Sequence, residues 1–223
     1  MDLTALRAPL RTRYFPLLLL AGIYLGVSAL TRLALFAVHV SELDVPLRDL
    51  VAVMTIGAVY DVATGFYLFA LYALYLFFLP DRIYRSRPHR VFLIVATVMV
   101  LFGLLYLAPV EFFFFDEFNA RFNFVAVSYL LYPHEVFVNI WQSYPVAQVL
   151  TGVGILTVGA MAWAYRPLMR SFETPTRLRQ RLAPLLLVIV GIAAAYGSLD
   201  MTTGQYSTNR VANELARNGI YAF

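Results

Sequence analysis

Ionisable side chains within or beside long apolar stretches give this chain its most reactive positions. Arg32 and Asp61 lie inside two such stretches, and Glu111 stands at the end of a third. Because a charge is costly in hydrocarbon, residues of this kind tend to mark functional sites in membrane proteins. A guanidinium suits a phosphate group, and carboxylates accept hydrogen bonds from hydroxyl groups. Together these residues predict recognition of a phosphorylated alcohol, such as a phospholipid headgroup.

The segment 114–145 contributes further polar side chains to this set: Asp116, Arg121, Asn123, His134 and Glu135. The segment is otherwise strongly aromatic, so we expect it to lie in the headgroup layer as two short helices divided by Pro133. We expect no metal site, because the chain has three histidines and His134–Glu135 lacks the second histidine of a zincin motif. The simpler alternatives are a structural Arg32–Asp61 ion pair, solvated helix ends, and an aromatic belt that only anchors the protein.

The composition excludes an ordinary soluble domain. Of the 223 residues, 61% are hydrophobic and 13% are charged, against about a quarter charged in soluble proteins. Without a single cysteine, the chain can form neither disulfides nor thiolate metal sites, and it has no cysteine nucleophile. Walker, GxGxxG and GxSxG motifs are missing from the sequence, so we expect no nucleotide cofactor and no hydrolase site. The arginines are scattered between apolar runs, so a nucleic-acid partner is not expected.

Five stretches have the length of about 20 apolar residues that a membrane-spanning helix needs. They are 14–38, 51–79, 91–113, 146–165 and 184–199. Four prolines mark where helices are expected to begin or end: Pro46, Pro80, Pro145 and Pro184. The expected fold is therefore an all-α membrane protein with five transmembrane helices and an interfacial segment between the third and the fourth.

The basic residues, which are all arginines, predict the orientation. Twelve of them flank the spans on one side: Arg7, Arg11, Arg13, Arg82, Arg85, Arg87, Arg90, Arg166, Arg170, Arg177, Arg179 and Arg181. The other side has four: Arg48, Arg121, Arg210 and Arg217. The positive-inside rule then predicts a cytoplasmic N terminus and an outward-facing C terminus. At a rise of about 1.5 Å per residue, Arg32 and Glu111 reach the outer boundary, where Arg32 can extend to the surface.

The chain divides into a transmembrane domain, 1–206, and a short outer segment, 207–223. In the outer segment we expect one helix over 207–219. Ser207 or Thr208 would cap it, Val211 and Leu215 would form its apolar stripe, and Gly219 would end it.

Two stretches resemble the lipoteichoic-acid-synthase family, which includes the phosphoglycerol transferases of Gram-negative bacteria. The first is EFFFFDEFNARFNFVAVSYLLYPHE, 111–135, continuing to NIWQSYP, 139–145. The second is NELARNGIYAF, 213–223. One departure is Ser128, where the resemblance leads us to expect an acidic residue.

The resemblance implies a phosphoglycerol or phosphoalcohol transferase at the outer face of the bacterial inner membrane. The donor would be a lipid of the phosphatidylglycerol type. Catalysis would belong to a sulfatase-like domain with a divalent metal, expected to follow residue 223, so this chain would hold no catalytic residue and no cofactor. The alternative is a truncated family member that serves as an accessory subunit of a larger membrane complex. It would pack through the small residues of spans four and five.

Overall fold

The computed structural model describes residues 12–39, 49–123, 131–199 and 204–222. These residues form helices α1 (Phe15–His39), α2 (Asp49–Phe78), α3 (Asp81–Tyr84), α4 (Arg87–Phe118), α5 (Pro133–Ser143), α6 (Val146–Ser171), α7 (Leu178–Ser198), α8 (Arg210–Ala216) and α9 (Gly219–Ala222). Five of them, α1, α2, α4, α6 and α7, are long and apolar enough to cross a membrane. The prediction of a multi-pass helical membrane protein is confirmed.

Most of the spanning helices are longer than the predicted apolar runs. The prediction that the fifth begins at Pro184 is wrong, because α7 begins at Leu178 and contains Pro184. The Gln180 side chain accepts a hydrogen bond from the backbone N–H of Arg177 at 3.0 Å, which stabilises the first turn. A proline inside a membrane helix is tolerated when its neighbours satisfy the freed carbonyl.

The segment between the third and fourth spans differs from expectation in its first half. Residues 114–118, predicted to begin a separate helix, form the last turn of α4, and Asn119 ends that helix in the left-handed region at φ 49°. The predicted second helix is confirmed as α5. Pro46 and Ser128 lie outside the described residues.

The five long helices pack as a curved row in the order α7, α2, α1, α4, α6, and α1 also contacts α6. Their shared core includes Tyr24, Phe69, Leu76, Leu101 and Leu168. The faces that point away from this core are apolar and exposed, as helices surrounded by lipid require.

Two arginines hold one end of the bundle together. Arg13 is completely buried and donates through Nη1 to the carbonyls of Leu76 at 2.8 Å and Leu79 at 2.7 Å. Arg13 and Arg181 also pair with the carboxylate of Asp81. The last carbonyls of a helix have no intrahelical partner, so these guanidinium groups cap α2. We call this the arginine-rich end.

A buried tyrosine extends this arrangement. The Tyr84 hydroxyl lies 3.2 Å from the Ser171 Oγ and donates to the Arg13 carbonyl at 3.4 Å. Burial raises the pKa of Tyr84 to about 12, so the hydroxyl keeps its proton. The first residues of α1 and α7 and the last residues of α2 and α6 therefore meet at this end.

The C-terminal segment 204–222, which we call the strap, lies at the opposite end against α1 and α2. Its Ala212 and Leu215 pack into a buried apolar cluster with Leu35, Phe36, Val53 and Phe115. The predicted cap was wrong: Asn209, rather than Ser207 or Thr208, accepts hydrogen bonds from the N–H groups of Val211 and Ala212. The predicted helix over 207–219 is correspondingly shorter, and Gly219 begins α9.

Candidate functional site

Arg32 and Asp61 form a two-point ion pair between α1 and α2. Arg32 Nη1 lies 2.7 Å from Asp61 Oδ2, and Arg32 Nη2 lies 2.8 Å from Asp61 Oδ1. The exposed fractions of the two side chains are 1% and 2%. Arg32 therefore does not extend to the surface as the sequence suggested, because its charge is neutralised inside the bundle.

Gly57 makes room for this pair. A Cβ built on Gly57 would lie 2.1 Å from the Nε and 2.2 Å from the Cζ of Arg32. The guanidinium thus rests directly on the backbone of α2, one helical turn before Asp61. Gly57 was not predicted as a site residue from the sequence. Its position four residues before Asp61, on the same face of an apolar helix, was the signal that could have identified it.

The same ion pair binds the strap. Arg32 Nε donates to the carbonyl of Leu215 at 3.2 Å. Asn218 Nδ2 donates to Asp61 Oδ1 at 2.6 Å and to the Tyr24 hydroxyl at 3.0 Å. Asn218, 2% exposed, is a site residue that the sequence analysis did not single out, because only the folded strap brings it to Asp61.

Glu111 and Arg121 form a second ion pair at the same end. Arg121 Nε lies 2.5 Å from Glu111 Oε1. The Arg121 side chain is 1% exposed, yet its Nη1 has no hydrogen-bond partner in the described part of the chain. A buried donor without an acceptor is destabilising, so this nitrogen is suited to bind an anionic oxygen.

Gly219 connects the second pair to the strap. A Cβ at Gly219 would lie 2.3 Å from Glu111 Oε1 and 2.9 Å from the Cβ of Phe122. The Glu111 carboxylate therefore lies between Arg121 and the strap backbone. The two ion pairs contact adjacent residues of the strap, Asn218 and Gly219.

A cavity of about 30 Å³ lies among α1, α4 and the strap. Its polar lining comes from Tyr24, Ser28, Thr31, Glu111 and Asn218. This volume holds one or two water molecules and is too small for a lipid headgroup.

The remaining predicted site residues take no part in the two ion pairs. Asp116 is 64% exposed on its side chain, and its Oδ1 lies 3.6 Å from His39 Nε2. Asn123 is half-buried, while His134 and Glu135 are exposed on α5, a helix that buries no residue. Of the eight predicted residues, four are therefore brought together by the strap: Arg32, Asp61, Glu111 and Arg121. In the described residues no cluster of histidine and acidic side chains could hold a metal ion.

Comparisons with protein-family models, curated proteins and solved structures find no match to this chain. The resemblance to the lipoteichoic-acid-synthase family therefore stays a prediction.

Proposed function

We propose that this chain is the membrane domain of a phosphoglycerol-transferase-like protein and that it binds a phospholipid headgroup at the outer leaflet. The catalytic centre, with its divalent metal, would belong to a separate sulfatase-like domain. In this proposal the arginine-rich end faces the bacterial cytoplasm, which agrees with the positive-inside rule. The two ion pairs and the strap then lie at the outer face of the inner membrane.

The observation that carries the proposal is the buried Arg121 Nη1, which has no hydrogen-bond partner among the residues that the structure describes. A phosphate oxygen would satisfy this donor with a charge-assisted hydrogen bond. Arg32 is the weaker candidate, because Asp61 and the Leu215 carbonyl already occupy three of its donors. Arg32 and Asp61 would instead hold the strap in place.

The other polar residues have supporting roles in this proposal. Glu111 would accept hydrogen bonds from headgroup hydroxyls, and Asn123 would accept or donate them. The exposed residues Asp116, His134 and Glu135 would contact the headgroup layer or dock the catalytic domain.

The test is retention of phosphatidylglycerol by the purified chain in detergent, counted by native mass spectrometry. Arg121→Ala should lower the affinity about tenfold or more, since hydrogen bonds to charged groups contribute about 1.5–3 kcal/mol. Arg210→Ala, which removes an exposed arginine of the strap, is the matched control and should bind as the unaltered chain does.

Glu111→Gln separates binding from structure. It breaks the ion pair but keeps the Arg121 guanidinium and leaves an amide oxygen that can still accept a hydrogen bond from a headgroup hydroxyl, so lipid retention should persist. If Arg121→Ala and Glu111→Gln lose lipid equally, or if neither does, the Arg121 assignment is wrong. Adding soluble glycerol phosphate as a competitor distinguishes a lipid site from a general phosphate site, because only the latter is emptied by it.

A role as accessory subunit has one observation in its favour. Gly152 and Gly159 of α6 are seven residues apart and lie on one face of the helix. Ideal Cβ atoms on both would meet none of the described residues within 4 Å, so this face could accept a close helix from another protein. A stable complex that is lost on Gly159→Leu would support the subunit role. A reading frame that continues past Phe223 into a soluble domain would instead support the proposal that this chain is the membrane domain of a transferase.

A further inference from the structure

The strap covers the Glu111 side of the Glu111–Arg121 ion pair. Asn218 and Ile220 line one side of the small cavity, and Glu111 lines the other. The Glu111 carboxylate contacts both Arg121 and the Gly219 backbone. The same carboxylate therefore belongs to the strap contact and to the proposed headgroup site.

The strap is held by contacts of two kinds. Its apolar anchorage includes the burial of Ala212, Leu215 and Ala216. Its polar anchorage includes the two hydrogen bonds from Asn218, the bond from Arg32 to the Leu215 carbonyl, and a bond from the Tyr221 hydroxyl to the Leu199 carbonyl at 3.3 Å. A short segment packed on the end of a helix bundle can open as a local unit, at a lower free energy than the global unfolding of the protein.

We infer that the strap is a gate for the headgroup site. In the closed form seen here, the space beneath it accommodates water alone. Lifting Asn218–Ile220 removes one wall of the cavity and frees the Glu111 side of the Arg121 pair. The headgroup then binds the open form only. The identity of this ligand rests on the proposed function, whereas the opening of the strap does not.

With a gate of this kind, the affinity for lipid and the fraction of molecules with an open strap depend on each other. The apparent dissociation constant equals the intrinsic one divided by the fraction of molecules in the open form. Weakening the closed form therefore raises the affinity for lipid, and bound lipid raises the fraction that is open.

Cysteine labelling measures the opening directly, because the chain contains no cysteine. Ala212→Cys, at a completely buried position, reports on the strap, and Ala216→Cys gives a second reporter at another buried position. Thr208→Cys, at an exposed position, gives the labelling rate of an open site. Maleimide should label both buried reporters far more slowly than Thr208→Cys.

Asn218→Ala removes the hydrogen bonds to Asp61 and Tyr24. It should speed labelling of the buried reporters about tenfold, the effect of losing one hydrogen bond to a charged group. Asn139→Ala is the matched control, because Asn139 is an exposed residue of α5 that pairs with Ser143. The gate would be overturned if, without Asn218→Ala, the buried reporters were labelled as fast as Thr208→Cys. It would also be overturned if Asn218→Ala left the labelling rates of both buried reporters unchanged.

The lipid arm uses the same reporters with phosphatidylglycerol added to the micelles. Labelling should become faster, and Asn218→Ala should bind the lipid more tightly than the unaltered chain. If Asn218→Ala frees the strap but neither lipid effect follows, the strap opens without gating and the inference is wrong. Arg121→Ala tests the headgroup site separately from the gate. Normal lipid binding in that variant refutes the headgroup site, even if the strap still opens.

Discussion

At the scale of single residues, the Arg32–Asp61 pair shows what apolar context can predict. Arg32 lies 17 residues after the first residue of α1, and Asp61 lies 17 residues before the last residue of α2. In antiparallel helices these positions are level, which makes pairing the natural way to bury both charges. Gly57 and Asn218 could not be predicted in the same way, since neither carries a charge and both act through close contacts.

The contact at Gly57 gives a sharp prediction. Gly57→Ala places a methyl group within 2.2 Å of two guanidinium atoms. The pair has to shift, and overpacking of this kind typically costs about 1–3 kcal/mol of folding free energy. Gly57→Ala should therefore lower the thermal unfolding temperature in detergent.

Gly26→Ala is the matched control for that measurement. Gly26 lies in α1, and no side chain of the described residues comes within 4 Å of its ideal Cβ. Alanine favours a helix over glycine by about 1 kcal/mol, so this variant should be as stable as the unaltered chain or more so. Equal stability of the two variants would contradict the close packing of Arg32 on α2.

At the scale of elements, apolar length predicted which helices exist but not where they end. Hydrophobicity falls off at the edge of the hydrocarbon, whereas the backbone hydrogen bonds of a helix continue until a cap interrupts them. This is why α4 continues to Phe118, where Asn119 caps it, and why α7 begins before Pro184. The packing of the strap on α1 and α2 depends on contacts between distant parts of the chain, which no local pattern contains.

Helix α5 carries the prediction that belongs to this scale. Phe137, Ile140 and Trp141 fall on one face, and Glu135 and Asn139 fall on the other. The Phe137 and Trp141 rings stack with centroids 5.8 Å apart. We predict that this apolar face is inserted at the membrane interface, where aromatic rings are favoured.

Trp141 can report on its own depth. Trp163→Phe leaves Trp141 as the sole tryptophan, because the chain has two. In bilayers, lipids brominated near the headgroup should quench its fluorescence more strongly than lipids brominated near the chain ends. Phe137→Glu, on the same face, should weaken that quenching. Stronger quenching by the deep bromines, or none by either lipid, would mean that α5 is not interfacial.

At the scale of the whole molecule, the distribution of charge and the arrangement of helices predict the same topology. The helix ends gathered around Arg13, Asp81 and Arg181 are the ends that the arginine count assigns to the cytoplasm. The strap and both ion pairs are attached to the other end. The headgroup proposal needs that second end to face outward, so the orientation tests the whole scheme.

The orientation can be measured with single cysteines in intact bacterial cells. Thr174→Cys lies between α6 and α7 at the arginine-rich end, and Thr208→Cys lies on the strap; both positions are exposed. A maleimide that cannot cross the inner membrane should label Thr208→Cys and leave Thr174→Cys unmodified until the membrane is opened with detergent. The opposite pattern would place the strap in the cytoplasm, where an outer-leaflet headgroup could not reach Arg121. Labelling of Thr208→Cys alone would leave Arg121 and the strap on the face that the proposed lipid site requires.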